Sequence, residues 1–302
     1  MLWFRNAIVY ELNQDNLLDL SLLQKAVDAK PFTPCGNTDS TRSGWISPYG
    51  EQSENPLLIN INGNILLRLK KETKILPSPV IKQALQDKIE KQEIALNRKL
   101  KKSEKLSLKD EVYIDLLPRA FSKFQFYWLW IDTNKRRVIV DSGSFKQAEE
   151  ILATLRKEMG QLSLKPFETE QPLDKLLTKW VRESLNCPPL ILGEEVELSD
   201  AVEEKTTVKC KNQDLTSNEI FVHIDAGKQV NKIKLYDEQG LSFVINRDCT
   251  LKRIKFDGAI LDKNEDFMPE EKDRKLEADF ILMAESLSNT IDNVISISKS
   301  IS

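Results

Sequence analysis

The chain has 302 residues, with 44 Lys plus Arg against 47 Asp plus Glu, one His, and 40% hydrophobic and 30% charged residues. That balance supports a buried core and excludes disorder and collagen, and no apolar run approaches the roughly 20 residues needed to cross a bilayer. The net charge of −3 averages over segments of opposite sign and does not by itself describe the surface.

Residues 1–10 place Arg5 inside a short strand-like apolar run, without the pattern of a signal peptide, so a cytoplasmic protein is expected. Asn6 to Leu12 alternates like a strand and Leu18 to Ala29 has helical spacing, stopped by the PFTPCG segment at 31–36. Leu57 to Ile61 and Asn64 to Leu69 read as a hairpin turning at Asn62-Gly63, a pair that tolerates positive φ. A second unit has the same plan: Phe126 to Asp132, a turn at Asn134 and Lys135, Arg137 to Asp141, then a helix opened by a capping box from Ser144 to Gln147. Two sheet-plus-helix units predict an α+β chain with a layered α/β body.

Between them, Pro77 and Pro79 open a helix expected to run through Val80 to about Lys102, and Ser107 to Pro118 reads as a shorter second helix. On one wheel Ile81, Leu85, Ile89, Leu96 and Leu100 form a stripe, with Lys91, Arg98, Lys101 and Lys102 nearly opposite. From Arg68 to Glu111 there are 13 basic and 7 acidic residues, a net of +6, which leaves −9 for the remainder. A basic helical arm on an acidic body is therefore expected. It is either a solvated helix whose lysines aid solubility or an arm that contacts phosphates.

Leu173 to Glu183 is a further helix, and Glu194 to Glu204, with six acids and no base, reads as a solvated face or loop that could repel nucleic acid. A capping box from Thr216 to Glu219 opens a short helix bearing His223, and a meander follows: Lys232 to Tyr236, Ser242 to Ile245, Leu251 to Phe256. By alternation, Lys232 with Lys234 and Arg253 with Lys255 form either a basic sheet surface or an ordinary polar outer face. Leu276 to Ile297 is an amphipathic helix, for core packing or a homodimer contact.

Motifs for the common chemistries are missing: there is no GxGxxG, no P-loop, no HExxH and no GxSxG. Cys35, Cys187, Cys210 and Cys249 are scattered without a CxxC pair, so neither zinc nor a disulfide framework is expected. His223 has no accompanying nucleophile turn. No catalytic residue, metal or cofactor is expected.

The segments FTPCG, KILPSPVIKQAL, RKLKKSEKLSLKDEV, LLPRAFSKF, WIDT, QDLTSNEI, HIDAGK, LKRIKF and ADFILM, in this order, resemble the bacterial recombination-associated RdgC family from Met1 to at least Ala284. The resemblance implies a non-enzymatic, double-stranded DNA-binding protein. Its subunits are horseshoe-shaped, with a central α/β body, a protruding helical tip and a second α+β lobe, and they close into a ring-shaped homodimer. The ring surrounds DNA and restrains the RecA recombinase by competing for DNA, in the cytoplasm and at the nucleoid, with no membrane partner.

The implied division is 1–76 with 119–170 for the body, 77–118 for the basic tip and 171–302 for the base lobe. Arg98, Lys99, Lys101, Lys102 and Lys105 match the family's basic stretch, so a DNA-contacting role is carried over to them. Lys91 and the sheet residues Lys232, Lys234, Arg253 and Lys255 join them as candidates from the residue pattern. Arg119 and Phe121, in LPRAF, match a basic and aromatic pair at the base of the tip, with Phe121 a ring contact, a DNA wedge or a core residue. The tail after Ala284 and the spacing around Glu194 depart from the family, which leaves the base contact open, as binding to single-stranded DNA is open. The competing reading is a protein-interaction scaffold of the recombination machinery with incidental DNA affinity, and a third is a carboxylate-dependent, Mg²⁺-using nuclease.

Overall fold

The protein is described from a computed structural model that covers residues 2–13, 18–51, 54–160, 162–200 and 206–301. The α+β reading holds, with the strands in one large sheet. The N-terminal part of the chain contributes β1 (Asn6–Leu12), β2 (Thr41–Ile46), β3 (Leu58–Ile61), β4 (Asn64–Ile75), β5 (Phe121–Asp132), β6 (Arg137–Val140) and β7 (Leu164–Pro166). The C-terminal part contributes β8 (Leu190–Asp200), β9 (Thr207–Lys211), β10 (Lys228–Asp237), β11 (Leu241–Asn246) and β12 (Leu251–Phe256). The strand order is β2-β4-β5-β6-β1-β12-β11-β10-β8-β9, with β3 on β4 and β7 on β1. The seam is β1 with β12, where Asn6 faces Lys252 and Ala7 faces Leu251 in antiparallel register.

Each side of the body sheet packs on helices because β1, β4, β5 and β6 are apolar on both faces. Ile8, Tyr10, Ile65, Leu67, Leu129 and Val138 meet α1 (Leu20–Asp28) and α4 (Phe145–Met159). Helix α1 is started by Asp19, whose carboxylate accepts from the amides of Ser21 and Leu22 at 2.8 and 3.2 Å. On the other side Val9, Leu66, Trp128, Trp130 and Ile139 join one core with α5 (Leu173–Arg182) and the 30-residue α8 (Lys272–Ile301). Phe280, Met283, Leu287 and Ile291 of α8 are buried in that core, so the packing reading of this helix is the right one within the chain. Arg137 of β6 ties α8 to the body through Asp292 at 2.6 Å, with Lys135 on the same carboxylate.

The hairpin at Asn62-Gly63 forms as expected, with both residues at positive φ (52° and 81°). Strand β2 follows the PFTPCG segment. It pairs along β4 from Thr41 opposite Thr73 to Ile46 opposite Arg68. Its Gly44 lies under the 31–32 backbone: a Cβ there would be 2.5 Å from Phe32 Cα and 2.6 Å from its N. Gly44→Ala must push that backbone away from Trp45, and a loss of about 1–3 kcal/mol is expected as a lowered denaturant midpoint with unchanged slope.

Three local expectations are corrected. Ser144 precedes α4 but its side chain makes no cap; Gln147 instead accepts from the Ser142 hydroxyl and donates to the Tyr127 hydroxyl. Before α6 (Asn218–Asp225), which carries the half-buried His223, Asp214 takes the amide and hydroxyl of Thr216, and Glu219 pairs with Gln213. The acidic stretch is strand, not loop, as far as Asp200, while Glu203 and Glu204 lie outside the described residues.

Candidate nucleic-acid interface

The helical arm is a hairpin of α2 (Ser78–Leu96) and α3 (Lys102–Leu116), which rises from the ends of β4 and β5. Helix α2 stops six residues earlier than its apolar spacing suggests. Asn97 takes the left-handed conformation (φ 49°, ψ 34°), and its amide with that of Arg98 closes on the carbonyls of Ile94 and Glu93. Arg98, Lys99 and Lys101 therefore lie in the turn and not on a helix face, and Lys102 opens α3. Leu100 is buried because the turn folds it onto Ile89 and Leu108, while Leu96, placed on the same stripe by the sequence, is 51% exposed.

Two carboxylates organise the turn. Glu104 accepts from both terminal nitrogens of Arg98 (3.0 and 2.7 Å) and from the amide of Lys101 at 2.7 Å. Those bonds hold its pKa down to about 2. Glu93 accepts from the amide of Leu100 at 2.9 Å and pairs with Lys99 at 3.2 Å and Lys105 at 3.4 Å, and it too lies below the usual carboxylate range. Lys91, Lys101 and Lys102 are exposed and in no ion pair among the described residues.

A pH dependence follows with a definite sign. The folded pKa of Glu104 is depressed from 4.5 to about 2, so its contribution is complete above the unfolded value and fades as pH falls toward the folded one. Amide exchange of the Asn97–Lys101 turn, measured relative to intrinsic rates, is expected to lose protection between those two values.

Arg119 ends a single helical turn after α3, exposed, and Phe121 begins β5 opposite Ile75. Of the three readings of Phe121 the core one fails, because it is 86% exposed.

The second candidate group lies on β10 and β12, separated from β5 in the strand order by β6 and β1. Simple alternation is corrected here. Between Ser242 opposite Lys255 and Val244 opposite Lys252, one residue of β11 faces two of β12, and Arg253 takes φ 53°. The bulge puts Lys252 beside Arg253 in an open groove of about 310 Å³ with Lys209, Lys211, Lys232, Glu195 and Glu197.

Glu195 binds Arg253 at 2.7 Å and Glu197 binds Lys232 and Lys209 at 2.8 and 3.2 Å. Lys234 lies over the Tyr236 ring at 4.7 Å. Lys211, Lys252 and Lys255 are in no ion pair among the described residues. Sequence reasoning missed Lys209, Lys211 and Lys252; the alternation in Thr207–Lys211 was the available signal for the first two.

Both groups offer positive side chains at the surface. Among the described residues no group of three His, Cys, Asp or Glu side chains could hold a metal ion. A protein-family model described as "Putative exonuclease, RdgC" matches residues 2–300. The chain belongs to the RdgC family. It is 46% identical over 295 residues, 98% of this chain and 97% of the relative, to the recombination-associated protein RdgC of Yersinia pestis (strain Pestoides F). The proteins of that name from Yersinia pseudotuberculosis serotype O:1b (strain IP 31758) and Yersinia enterocolitica serotype O:8 / biotype 1B (strain NCTC 13174 / 8081) are equally similar. The RdgC family is thus recombination-associated by the names of its curated members, while the family description names a nuclease. Among the described residues, no helix of this member is long and apolar enough to cross a membrane.

Proposed function

We propose that this RdgC-family protein binds double-stranded DNA without sequence preference, as a ring-shaped homodimer of horseshoe subunits, and limits RecA-mediated recombination by competing for DNA. The observation that carries the reading is the tip, where Lys91 on α2, Lys101 in the turn and Lys102 at the start of α3 stand exposed while two carboxylates hold the turn's shape. Such lysines neutralise phosphates and read no bases. Arg98, Lys99 and Lys105 add to that surface, and Lys232, Lys234, Arg253 and Lys255, with Lys209, Lys211 and Lys252, supply a second phosphate-facing surface in the base lobe.

The body, tip and base lobe divide at 1–76 with 119–170, 77–118 and 171–302. The exposed Phe121 and the exposed Leu96, Leu106 and Ile114 of the tip are suited to a contact with the second subunit. The protein works in the cytoplasm at the nucleoid, as a binding protein and not an enzyme.

Fluorescence anisotropy with two unrelated duplexes of equal length across a salt series, with the mass by light scattering, tests the proposal. A dimer that binds both duplexes alike, with affinity falling steeply as salt rises, is expected. A monomer, or binding indifferent to salt, sinks the reading in favour of a protein scaffold. Nicking of supercoiled plasmid in Mg²⁺ beyond that of a mock preparation would revive the nuclease.

A further inference from the structure

The groove over β8 to β12 has a floor that contacts to phosphate alone leave unused. Residues directly opposite each other in an antiparallel pair share a face of the sheet. The register therefore sets Lys209, Glu197, Lys232 and Asn246 in one row across β9, β8, β10 and β11. Lys211 stands opposite Glu195, and Lys252 opposite Val244. Arg253 of β12 reaches Glu195 of β8 at 2.7 Å although β10 and β11 lie between them, three strand spacings or roughly 14 Å in a flat sheet. The ion pair spans the groove.

Asn246 is 5% exposed, and its Oδ1 is sealed from solvent with no hydrogen-bond donor on it among the described residues. An amide oxygen left in that state is costly, and a ligand that brings a donor to it removes the cost. The rim asks for the opposite chemistry. Five cations against two carboxylates line the groove, a net of +3, and Lys211 and Lys252 are in no ion pair among the described residues.

The complementary ligand carries several negative charges and a hydrogen-bond donor, within a groove of about 310 Å³ at the small end of ligand pockets. The backbone of DNA brings the charge only, because its phosphates accept hydrogen bonds and its sugar lacks the 2′-hydroxyl. A ribonucleotide brings both. No aromatic ring lines the groove among the described residues, so a base finds no stacking partner there.

We propose that the groove over β8 to β12 binds a free ribonucleoside di- or triphosphate, with its phosphates on Lys211 and Lys252 and a ribose hydroxyl donating to Asn246 Oδ1. The flexible side chain of Lys232, directly opposite Asn246, swings aside to admit the sugar. This inference goes beyond the DNA-binding reading and does not need it.

The test is calorimetric titration of the whole protein with ATP, GTP and 2′,3′-dideoxy-ATP at one low salt concentration. ATP and GTP should bind within about twofold of each other, since no ring reads the base. The dideoxy analogue has the same charge without the donors and should bind about three- to tenfold more weakly, the worth of one hydrogen bond. Lys211→Gln with Lys252→Gln breaks no ion pair among the described residues and should weaken ATP by about tenfold or more. Asn246→Leu, of similar volume, should erase the difference between ATP and the dideoxy analogue while leaving the analogue's affinity near wild type. An unchanged thermal midpoint confirms folding, and the comparison of the two ligands on wild-type protein stands without that variant.

Dideoxy-ATP that binds as tightly as ATP overturns the proposal and leaves an unselective anion patch. RNA is the other source of phosphate with a ribose hydroxyl, and an oligouridylate that displaces ATP more readily than ADP does overturns the assignment to a free nucleotide. Duplex binding without ATP binding overturns this inference alone. ATP binding with the dideoxy penalty but no duplex binding supports it and overturns the DNA reading instead.

Discussion

Charge reversal of Lys91, Lys101 and Lys102 to Glu is expected to abolish retention of duplex DNA at physiological salt. These lysines are exposed and in no ion pair among the described residues, so their charge is available to an incoming phosphate. Each lost phosphate contact removes about 0.9 from the slope of log affinity against log salt, so three should flatten it by nearly 3. Stability should be nearly unmoved, since exposed substitutions away from packing features usually lie within about 0.5 kcal/mol.

Lys99→Glu alone should do less. Lys99 already shares Glu93 with Lys105, which remains to hold that carboxylate when Lys99 is reversed. The salt slope of the triple variant decides the matter. An unchanged slope means that these lysines do not touch phosphates, and the DNA interface then lies elsewhere or the lysines serve only solubility.

The strands and helices of this chain were legible where one physical signal dominated. Alternation located β1, β3 and the meander, and Asn62-Gly63 marked its hairpin. Failures occurred where a residue without a Gly or Pro signature reversed the chain. Asn97 ends α2 inside an apolar pattern that continues in phase to Leu100, so the sequence read one long helix. Arg253 makes the bulge of β12 as an ordinary-looking strand residue at positive φ, and that shifted which lysines share the groove. The pairing of β1 with β12 joins the two ends of the chain and leaves no local trace. Cation–π geometry around Arg68 was equally hidden, because its charge was counted with the arm while its partners Phe126 and Trp128 come from β5.

Leu108→Ala is expected to melt the tip while the rest of the molecule stays folded. Leu108 is 2% exposed and packs with Ile89 and Leu100, the other buried members of a small cluster separate from both large cores. A buried Leu→Ala change costs about 2–5 kcal/mol, and a two-helix hairpin with so few apolar contacts has little local stability to lose. The pairs of Lys88 with Glu111 and Asp115, both at 3.1 Å, cannot compensate, being solvent-exposed on the acid side and weak in salt.

Amide exchange in α2 and α3 should therefore become fast, with protection of β4 to β6 and α8 retained. Duplex affinity should fall at least tenfold, because the lysines of the turn lose their fixed positions without losing their charge. That separates geometry from charge: the salt slope should stay closer to wild type than in the triple reversal, since a disordered arm can still meet phosphates. Retained exchange protection in the tip would show that the hairpin draws its stability from the β4–β5 ribbon and not from its own small core. Loss of protection throughout the chain would show that tip and body unfold as one cooperative unit.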